Sequence, residues 1–172
     1  HMIVHQFSTR QRLLNANGHA GNHVMQVGGL WGFTEERPDL GELFTQMDSW
    51  LMAIQGDKSS IEYAEKVVNN KPVSLLDACW DIQGEERIKY EQTQTFRGNS
   101  VCNDLYPAYL TPRHVAGAPL ANNIVSCQLR ELDGADYAVT ISPEERAELE
   151  QIFPQGVCDW SLGDVSGAKH QG

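Results

Sequence analysis

The chain has 172 residues, 41% of them hydrophobic and 21% charged, which is ordinary for a globular protein and excludes global disorder. Its formal net charge of −10 argues against binding nucleic acid through phosphates, because such binding needs a basic surface. No apolar run reaches the ~20 residues that cross a membrane, and no segment resembles a signal peptide.

The first predicted element is a helix. Ser8 and Gln11 have the spacing of a capping box, so we expect the helix to begin there and to end near Asn17, where Gly18 can adopt the left-handed stop. A helix this close to the amino terminus, with no strand before it, predicts that the sequence begins inside a domain. The first two residues, His1-Met2, fit either native sequence or the remnant of a cleaved expression tag.

A short buried strand is predicted at residues 23–27, and it ends at Gly28-Gly29. Residues 30–38 are then predicted to form a loop that carries Trp31 and Phe33. The glycine-rich run at the start of this loop lacks the register of a dinucleotide-binding loop, and we interpret it as a turn.

The most regular predicted helix covers residues 39–55, between a cap at Asp39 and a stop at Gly56. Apolar side chains recur every three or four residues along it, at Leu40, Leu43, Phe44, Met47, Leu51 and Ile54. We therefore expect Leu43, Met47 and Leu51 to pack against a sheet or a neighbouring helix. If partner strands lie outside this sequence, part of the stripe would instead stand open as an apolar patch.

A second helix is predicted at residues 60–69, with Ile61, Ala64, Val67 and Val68 on one side. Residues 73–118 show little periodicity, so we expect irregular structure held by anchored side chains and disulfides rather than by strand ladders.

Farther along, a strand is predicted at residues 124–132. A helix near residues 142–153 begins with Ser142 as cap, and it should bury Ala147, Leu149, Ile152 and Phe153. The last ten residues, 163–172, are polar and glycine-rich and are predicted to form a flexible tail.

Four dispersed cysteines, Cys79, Cys102, Cys127 and Cys158, lie in the second half of the chain. They form no C-x-x-C pair and have no histidine at zinc-like spacing, so disulfides in an oxidising, secreted or periplasmic compartment are favoured over a metal cluster. Three pairings are possible. We favour Cys79 with Cys102 and Cys127 with Cys158, because each pair closes a modest loop; four buried free thiols are the alternative.

A complete catalytic site is not evident. Serine-type acyl transfer needs a nucleophile on a sharp turn, and no G-x-S-x-G occurs; Ser166 has the wrong spacing. His19 and His23 would share a metal only on a helix, which Gly18 and Gly21 disfavour, so no metal or cofactor site is predicted. A histidine near a strand can serve as a general base, whereas the structural alternative is a loop histidine bonded to the backbone. We interpret His114 and His170 as structural or exposed.

Several longer runs resemble a large family of secreted bacterial proteins that are α/β-hydrolase-like and distantly similar to tannases and 3-hydroxybutyrate-oligomer hydrolases. The runs are F-S-T-R-Q-R-L at 7–13, A-N-G at 16–18, N-H-V-M at 22–25, D-A-C-W at 77–80, C-N-D-L-Y-P at 102–107, V-A-G-A-P-L at 115–120, C-Q-L at 127–129 and I-F-P-Q-G-V-C-D-W-S at 152–161. The resemblance spans nearly the whole chain, as the carboxy-terminal part of a much longer protein.

The resemblance implies an α/β fold class. Residues 1–70 would form the terminal helix–strand–helix part of an α/β-hydrolase-like sheet, residues 71–162 an irregular disulfide-bonded extension, and residues 163–172 the tail. The catalytic base of such enzymes normally follows the last strand, but residues 28–38 contain no histidine. The resemblance leaves His23, His19 and His1 as candidates for the base, His1 only if it is native.

Two hypotheses from different classes follow. In the first, the chain is the carboxy-terminal section of a secreted carboxylic-ester hydrolase whose serine nucleophile lies elsewhere. Its partner would be the remainder of the parent hydrolase or a companion chain, and its substrate an ester. In the second, it is a non-catalytic binding or interaction module of an extracytoplasmic protein. The missing nucleophile turn separates the two, because only the first needs a companion that carries it.

Overall fold

A computed structural model describes residues 3–29 and 37–166. The chain divides into two compact units, His1–Leu110 and Thr111–Gly172. Helices and two small sheets are combined, so the content is mixed helix and strand. Within the described residues, no helix is long and apolar enough to cross a membrane.

The described residues of the first unit form four helices and a three-stranded sheet. Its elements in chain order are α1 (Ile3–Asn17), β1 (Gln26–Val27), α2 (Leu40–Gly56), α3 (Tyr63–Asn69), β2 (Ala78–Gln83), β3 (Glu86–Glu91) and α4 (Val101–Leu105). In the second unit, up to residue 166, the structure shows two helices, one 3-10 turn and a two-stranded sheet: α5 (Pro112–Val115), β4 (Cys127–Arg130), the 3-10 turn (Gly134–Asp136), α6 (Pro143–Ile152) and β5 (Val157–Asp164).

Helix α1 ends as predicted but begins earlier. Gly18 has φ +74° and its N–H donates to the carbonyl of Leu14, which confirms the left-handed stop. The predicted start at Ser8 is wrong. Ser8 lies inside the helix, is 1% exposed, and donates its hydroxyl to the carbonyl of Val4. An interior serine satisfied by the preceding turn has the same sequence signature as a cap, so the pattern alone could not separate them.

The sheet of the first unit has the order β1-β2-β3. Strand β1 runs parallel to β2 but is only two residues long, so the strand predicted at residues 23–27 is too long by three. Strands β2 and β3 form an antiparallel hairpin, which contradicts the irregular structure predicted for residues 73–118. The missed signal is the two-residue turn that starts at Gly84, whose φ is +66°, because glycine in the first turn position suits a hairpin.

Helix α2 begins as predicted, with the Asp39 carboxylate accepting from the N–H of Glu42. Its buried residues are Trp50 and Ile54, which form a core cluster with Leu75; Leu43 is half-buried against it. The burial predicted for Met47 and Leu51 is wrong, since each is 47% exposed.

Spacing identifies the apolar positions of α2, but it does not say which of its faces has a partner.

Helix α3, predicted from residue 60, begins at Tyr63 and buries none of its residues.

In the second unit the Ser142 cap of α6 is confirmed, and the structure shows that it is part of a capping box in which Ser142 and Glu145 bond reciprocally. The burial predicted for its apolar side chains is wrong: Ala147 and Phe153 are exposed, Leu149 is half-buried and Ile152 is 58% exposed. Strand β4 lies within the predicted range 124–132.

Strand β5 reaches Asp164, so the prediction of a tail is wrong for residues 163 and 164, and residues 167–172 lie outside the described residues. The Asp164 carboxylate accepts from the N–H groups of Val125 and Ser126, which holds the end of β5 against the start of the β4 segment.

The cysteines pair as the sequence favours. Cys79 bonds Cys102 in the first unit, and Cys127 bonds Cys158 across the β4–β5 ladder in the second. The first pair is fully buried, whereas both members of the second are half-buried. The alternative of free thiols is therefore not observed in this structure.

Candidate functional site

The candidate histidines lie in different settings. His1 lies outside the described residues, as do Trp31, Phe33 and His170. His19 is exposed in the turn after α1, and its Nδ1 accepts from the N–H of Gly21 at 3.3 Å. His23 is half-buried just before β1. Of the described candidates, only His23 therefore belongs to a cluster of buried polar groups.

That cluster is centred on an ion pair between Arg10 of α1 and Asp77, which directly precedes β2. Both side chains are about one-eighth exposed, and the contact is bidentate, with N–O distances of 2.5 and 2.8 Å. The Asp77 carboxylate also accepts from the backbone N–H groups of Met25 and Gln94, each at 2.8 Å. Four donors thus converge on one carboxylate, which joins α1, the approach to β1 and the segment after β3.

The ionised form of Asp77 is favoured. Burial, the largest single influence, would raise the pKa of Asp77, but the hydrogen bonds from Arg10, Met25 and Gln94 and the charge of Arg10 hold it below the usual value. A buried carboxylate with this many donors stabilises the fold by holding together the segments that carry the donors. Because its oxygens are already occupied, Asp77 is not free to orient a histidine.

His23 is fixed by the same arginine. The Nε of Arg10 always carries a hydrogen, so at 3.2 Å it donates to Nδ1 of His23. The neutral ring then carries its proton on Nε2, which lies 3.4 Å from the Oε1 of Gln6. Burial and then the charge of Arg10 lower the pKa of His23, against the smaller influence of Asp77. In this arrangement His23 is a neutral hydrogen-bond donor at Nε2.

Two grooves border β1. The α2 groove, about 440 Å³, has apolar walls that include Leu43, Met47 and Trp50. The α4 groove, about 490 Å³, is lined by Ile3, Pro38, Leu105, Tyr106 and Pro107. Both grooves are also lined by Gln6, Gln26 and Val27, so they meet at β1. His23 lines the α2 groove, which places a polar donor beside an apolar wall.

Ser166 and His114, both in the second unit, do not form a hydrolytic pair with each other. The Ser166 hydroxyl donates to Asp164, the carboxylate that also holds the backbone of Val125 and Ser126. His114 is 7% exposed, and its Nδ1 lies 2.7 Å from the hydroxyl of Thr111. Across the described residues, no three His, Cys, Asp or Glu side chains gather as metal ligands.

Sequence reasoning missed Arg10, Asp77 and Gln6. Arg10 and Asp77 are 67 positions apart, and nothing local to either one marks it as a partner of the other. Both fall inside runs that carry the family resemblance, at 7–13 and 77–80, which is the one signal that could have drawn attention to them.

Compared with known families, the chain matches the model of a tannase-like family of unknown function (DUF6351) over residues 1–169. No curated protein and no solved structure matches it.

Proposed function

This chain belongs to the tannase-like family, and on that premise we propose that it is the carboxy-terminal section of a carboxylic-ester hydrolase, completing a core whose serine nucleophile lies elsewhere. The observation that carries the proposal is the family match over residues 1–169 together with a sequence that has no nucleophile turn. On this proposal residues 1–70 belong to the terminal part of an α/β-hydrolase-like sheet, and residues 71–162 form the disulfide-bonded extension.

The exposed face of α2 supports a missing partner. Leu40, Phe44, Met47 and Leu51 follow one another at helical spacing and are 36–71% exposed. They lie beside the face that packs Trp50 and Ile54 into the core, so α2 carries apolar residues on two sides. A helix that meets solvent on one side usually has a polar outer face. The exposed stripe therefore supports a further body of protein covering α2.

An extracytoplasmic location is part of the proposal. Two disulfides close the chain, one in each unit. Such bonds form and persist in oxidising compartments and are rare where thiols are kept reduced. The acidic surface would then keep a secreted or periplasmic protein soluble.

The catalytic base remains a proposal among His23, His19 and His1. His23 could act at Nε2 only after Arg10 releases Nδ1, because that hydrogen bond keeps the ring proton on Nε2. Closure of the companion around the α2 groove would have to supply this change. If His23 is the base, His23→Ala should lower turnover by about 10²- to 10⁴-fold in the assembled enzyme, whereas His5→Ala, an exposed histidine of α1, should not.

The deciding experiment mixes this chain with the remainder of the parent polypeptide, expressed separately and carrying G-x-S-x-G. We expect no hydrolysis of short aryl esters by this chain alone, and turnover by the complex that a serine-directed organophosphate blocks. Steady organophosphate-sensitive turnover by this chain alone would contradict the proposal and would make Ser166 the first residue to replace.

A complex that forms but cleaves no ester would favour the second hypothesis, a non-catalytic interaction module. The exposed stripe of α2 also supports that hypothesis, because an apolar surface of this kind can bind any protein partner.

A further inference from the structure

The outer edge of β1 has unpaired main-chain groups. The register pairs Gln26 with Ala78, and the N–H of Ala78 donates to the carbonyl of Met25 at 3.0 Å. In a parallel ladder with this register, the main-chain hydrogen-bonding groups that face β2 belong to the residues on either side of Gln26. The N–H and C=O of Gln26 itself therefore point to the opposite edge. Within the described residues, no backbone group bonds to either of them. This edge is a template for another strand.

The surroundings of the edge fit a strand. Side chains of an extended strand alternate between its two faces, so a strand arriving at β1 would send them alternately to two sides. The α2 groove and the α4 groove meet at Gln26 and Val27 and offer two mainly apolar receptacles, with walls that include Met47 in one and Tyr106 in the other. Main-chain bonds supply affinity in such docking, and the pockets supply specificity.

We propose that the open edge of β1 is the place where a strand of the remainder of the parent protein joins the sheet, with alternate apolar side chains entering the α2 and α4 grooves. This inference rests on the proposed function and names the site of assembly. Docking would extend β1 back towards His23, through the residues that the sequence predicts as strand but that the isolated chain leaves irregular.

A second copy of this chain is the less suitable occupant. Two chains of net charge −10 repel each other. The remainder of the parent protein can cover the adjoining stripe of α2 at the same time, because Met47 belongs both to that stripe and to the α2 groove.

The test compares Gln26→Pro with Gln26→Ala. Both variants lose the side-chain bond from Nε2 of Gln26 to the carbonyl of Leu76. Only the proline also loses the outward N–H, and an edge strand tolerates that loss without breaking its inward ladder. We expect Gln26→Pro to bind the separately expressed remainder at least about tenfold more weakly than Gln26→Ala. Thermal unfolding and intact disulfides would establish that both variants fold.

Two further measurements complete the test. In the wild-type complex, the amide hydrogen of Gln26 should exchange at least about tenfold more slowly than in the free chain. Met47→Glu, which puts a charge into the α2 groove, should weaken binding more than Met52→Glu, which changes an α2 residue that does not line the groove. If the proline variant misfolds, the exchange of the Gln26 amide in the wild-type complex decides.

Failure of the inference can be told apart from failure of the proposed function. An active complex in which the amide of Gln26 exchanges freely, and in which the two Gln26 variants bind equally, would overturn the strand docking and leave the hydrolase proposal standing. Failure of the wild-type chain to bind the remainder would overturn both. A dimer of this chain that protects the Gln26 amide without any companion would assign the edge to a second copy and overturn the inference.

Discussion

The first unit buries large side chains, among them Phe7, Trp50 and Trp80, and its disulfide is part of that core, with Cys79 and Cys102 at 0–1% exposure. In the second unit the buried apolar residues are smaller in number and size, namely Ala118, Ala121, Ile124 and Leu132, and Cys127–Cys158 is half-buried. The first unit therefore owes its stability mainly to packing and a buried ion pair. The second depends on a covalent closure around few apolar contacts.

Polar contacts also differ between the two units, because they are buried in the first and more exposed in the second. In the first unit Arg10 and Asp77 lie about one-eighth exposed at the centre of a network. In the second unit the polar contacts are more exposed. Trp160 donates to the carbonyl of Ala116 at 2.6 Å, and the ion pair between Arg146 and Glu150 is more than half exposed. The same change of residue type should thus cost very different free energies in the two units.

The largest effect should come from Asp77→Ala. It leaves the buried guanidinium of Arg10 without its carboxylate and strips two backbone N–H groups of their acceptor, so we expect a loss of about 3–5 kcal/mol in the free energy of unfolding. Glu150→Ala, which breaks the exposed pair with Arg146, should change the free energy of unfolding far less, because solvent screens exposed ion pairs. Chemical denaturation of both variants measures the difference. Similar losses would contradict the contrast between the two ion pairs.

Removal of the Cys127–Cys158 bond tests the second unit. Its cysteines are 31 positions apart, and closing a loop of this size is worth roughly 3–4 kcal/mol in the loop-entropy model. Replacing both cysteines with alanine should leave residues 111–166 open to proteases while the first unit stays protected. In the wild-type chain, mild reductant should open Cys127–Cys158 before the buried Cys79–Cys102. The reverse order of reduction would mean that exposure does not govern these bonds.

Helix α2 allows a comparison within one element. Ile54→Ala removes a side chain that is 6% exposed in the core cluster and should cost about 2–5 kcal/mol. Leu51→Ala changes a side chain that is 47% exposed in the isolated chain and should cost about 1 kcal/mol or less. In the complex with the remainder of the parent protein, the cost of Leu51→Ala should rise. A large loss for Leu51→Ala in the isolated chain would mean that the stripe is already covered.

The smallest effect concerns pH. The pKa of His23 is lowered in the folded chain, so the unfolded chain binds a proton more readily and stability should fall as pH drops below the unfolded value of about 6.5. Asp77 acts in the same direction at lower pH, since the stability from its depressed pKa is lost as pH falls from its unfolded value of about 3.9 through the folded pKa. His23→Gln should flatten the first part of this profile relative to the wild-type chain. Equal profiles for the variant and the wild-type chain would exclude His23 as the source.

Local signals were sufficient where the contact that decides the structure lies within about four residues. The Asp39 cap, the Gly18 stop and the Ser142 cap all act over such distances, and all are found where the sequence predicts them. Ser8 is the instructive failure, because its hydroxyl can satisfy a carbonyl inside a helix as readily as it can cap one. Cysteine spacing favoured the observed pairing because short loops close at the lowest entropic cost.

Contacts between distant positions could be decided only by the tertiary structure. Which side of α2 is buried depends on Leu75 and the neighbouring helix, not on the spacing within residues 40–56. Residues 163 and 164 are predicted as tail from their composition but belong to β5, because β4 pairs with β5 as far as Asp164 and the Asp164 carboxylate accepts a hydrogen bond from the N–H of Ser126. The pairing of Arg10 with Asp77, 67 positions away, and the tautomer it imposes on His23 depend on three separate segments meeting. The sequence thus determined the caps, stops and apolar spacing, while the fold alone decided which faces and charges found partners.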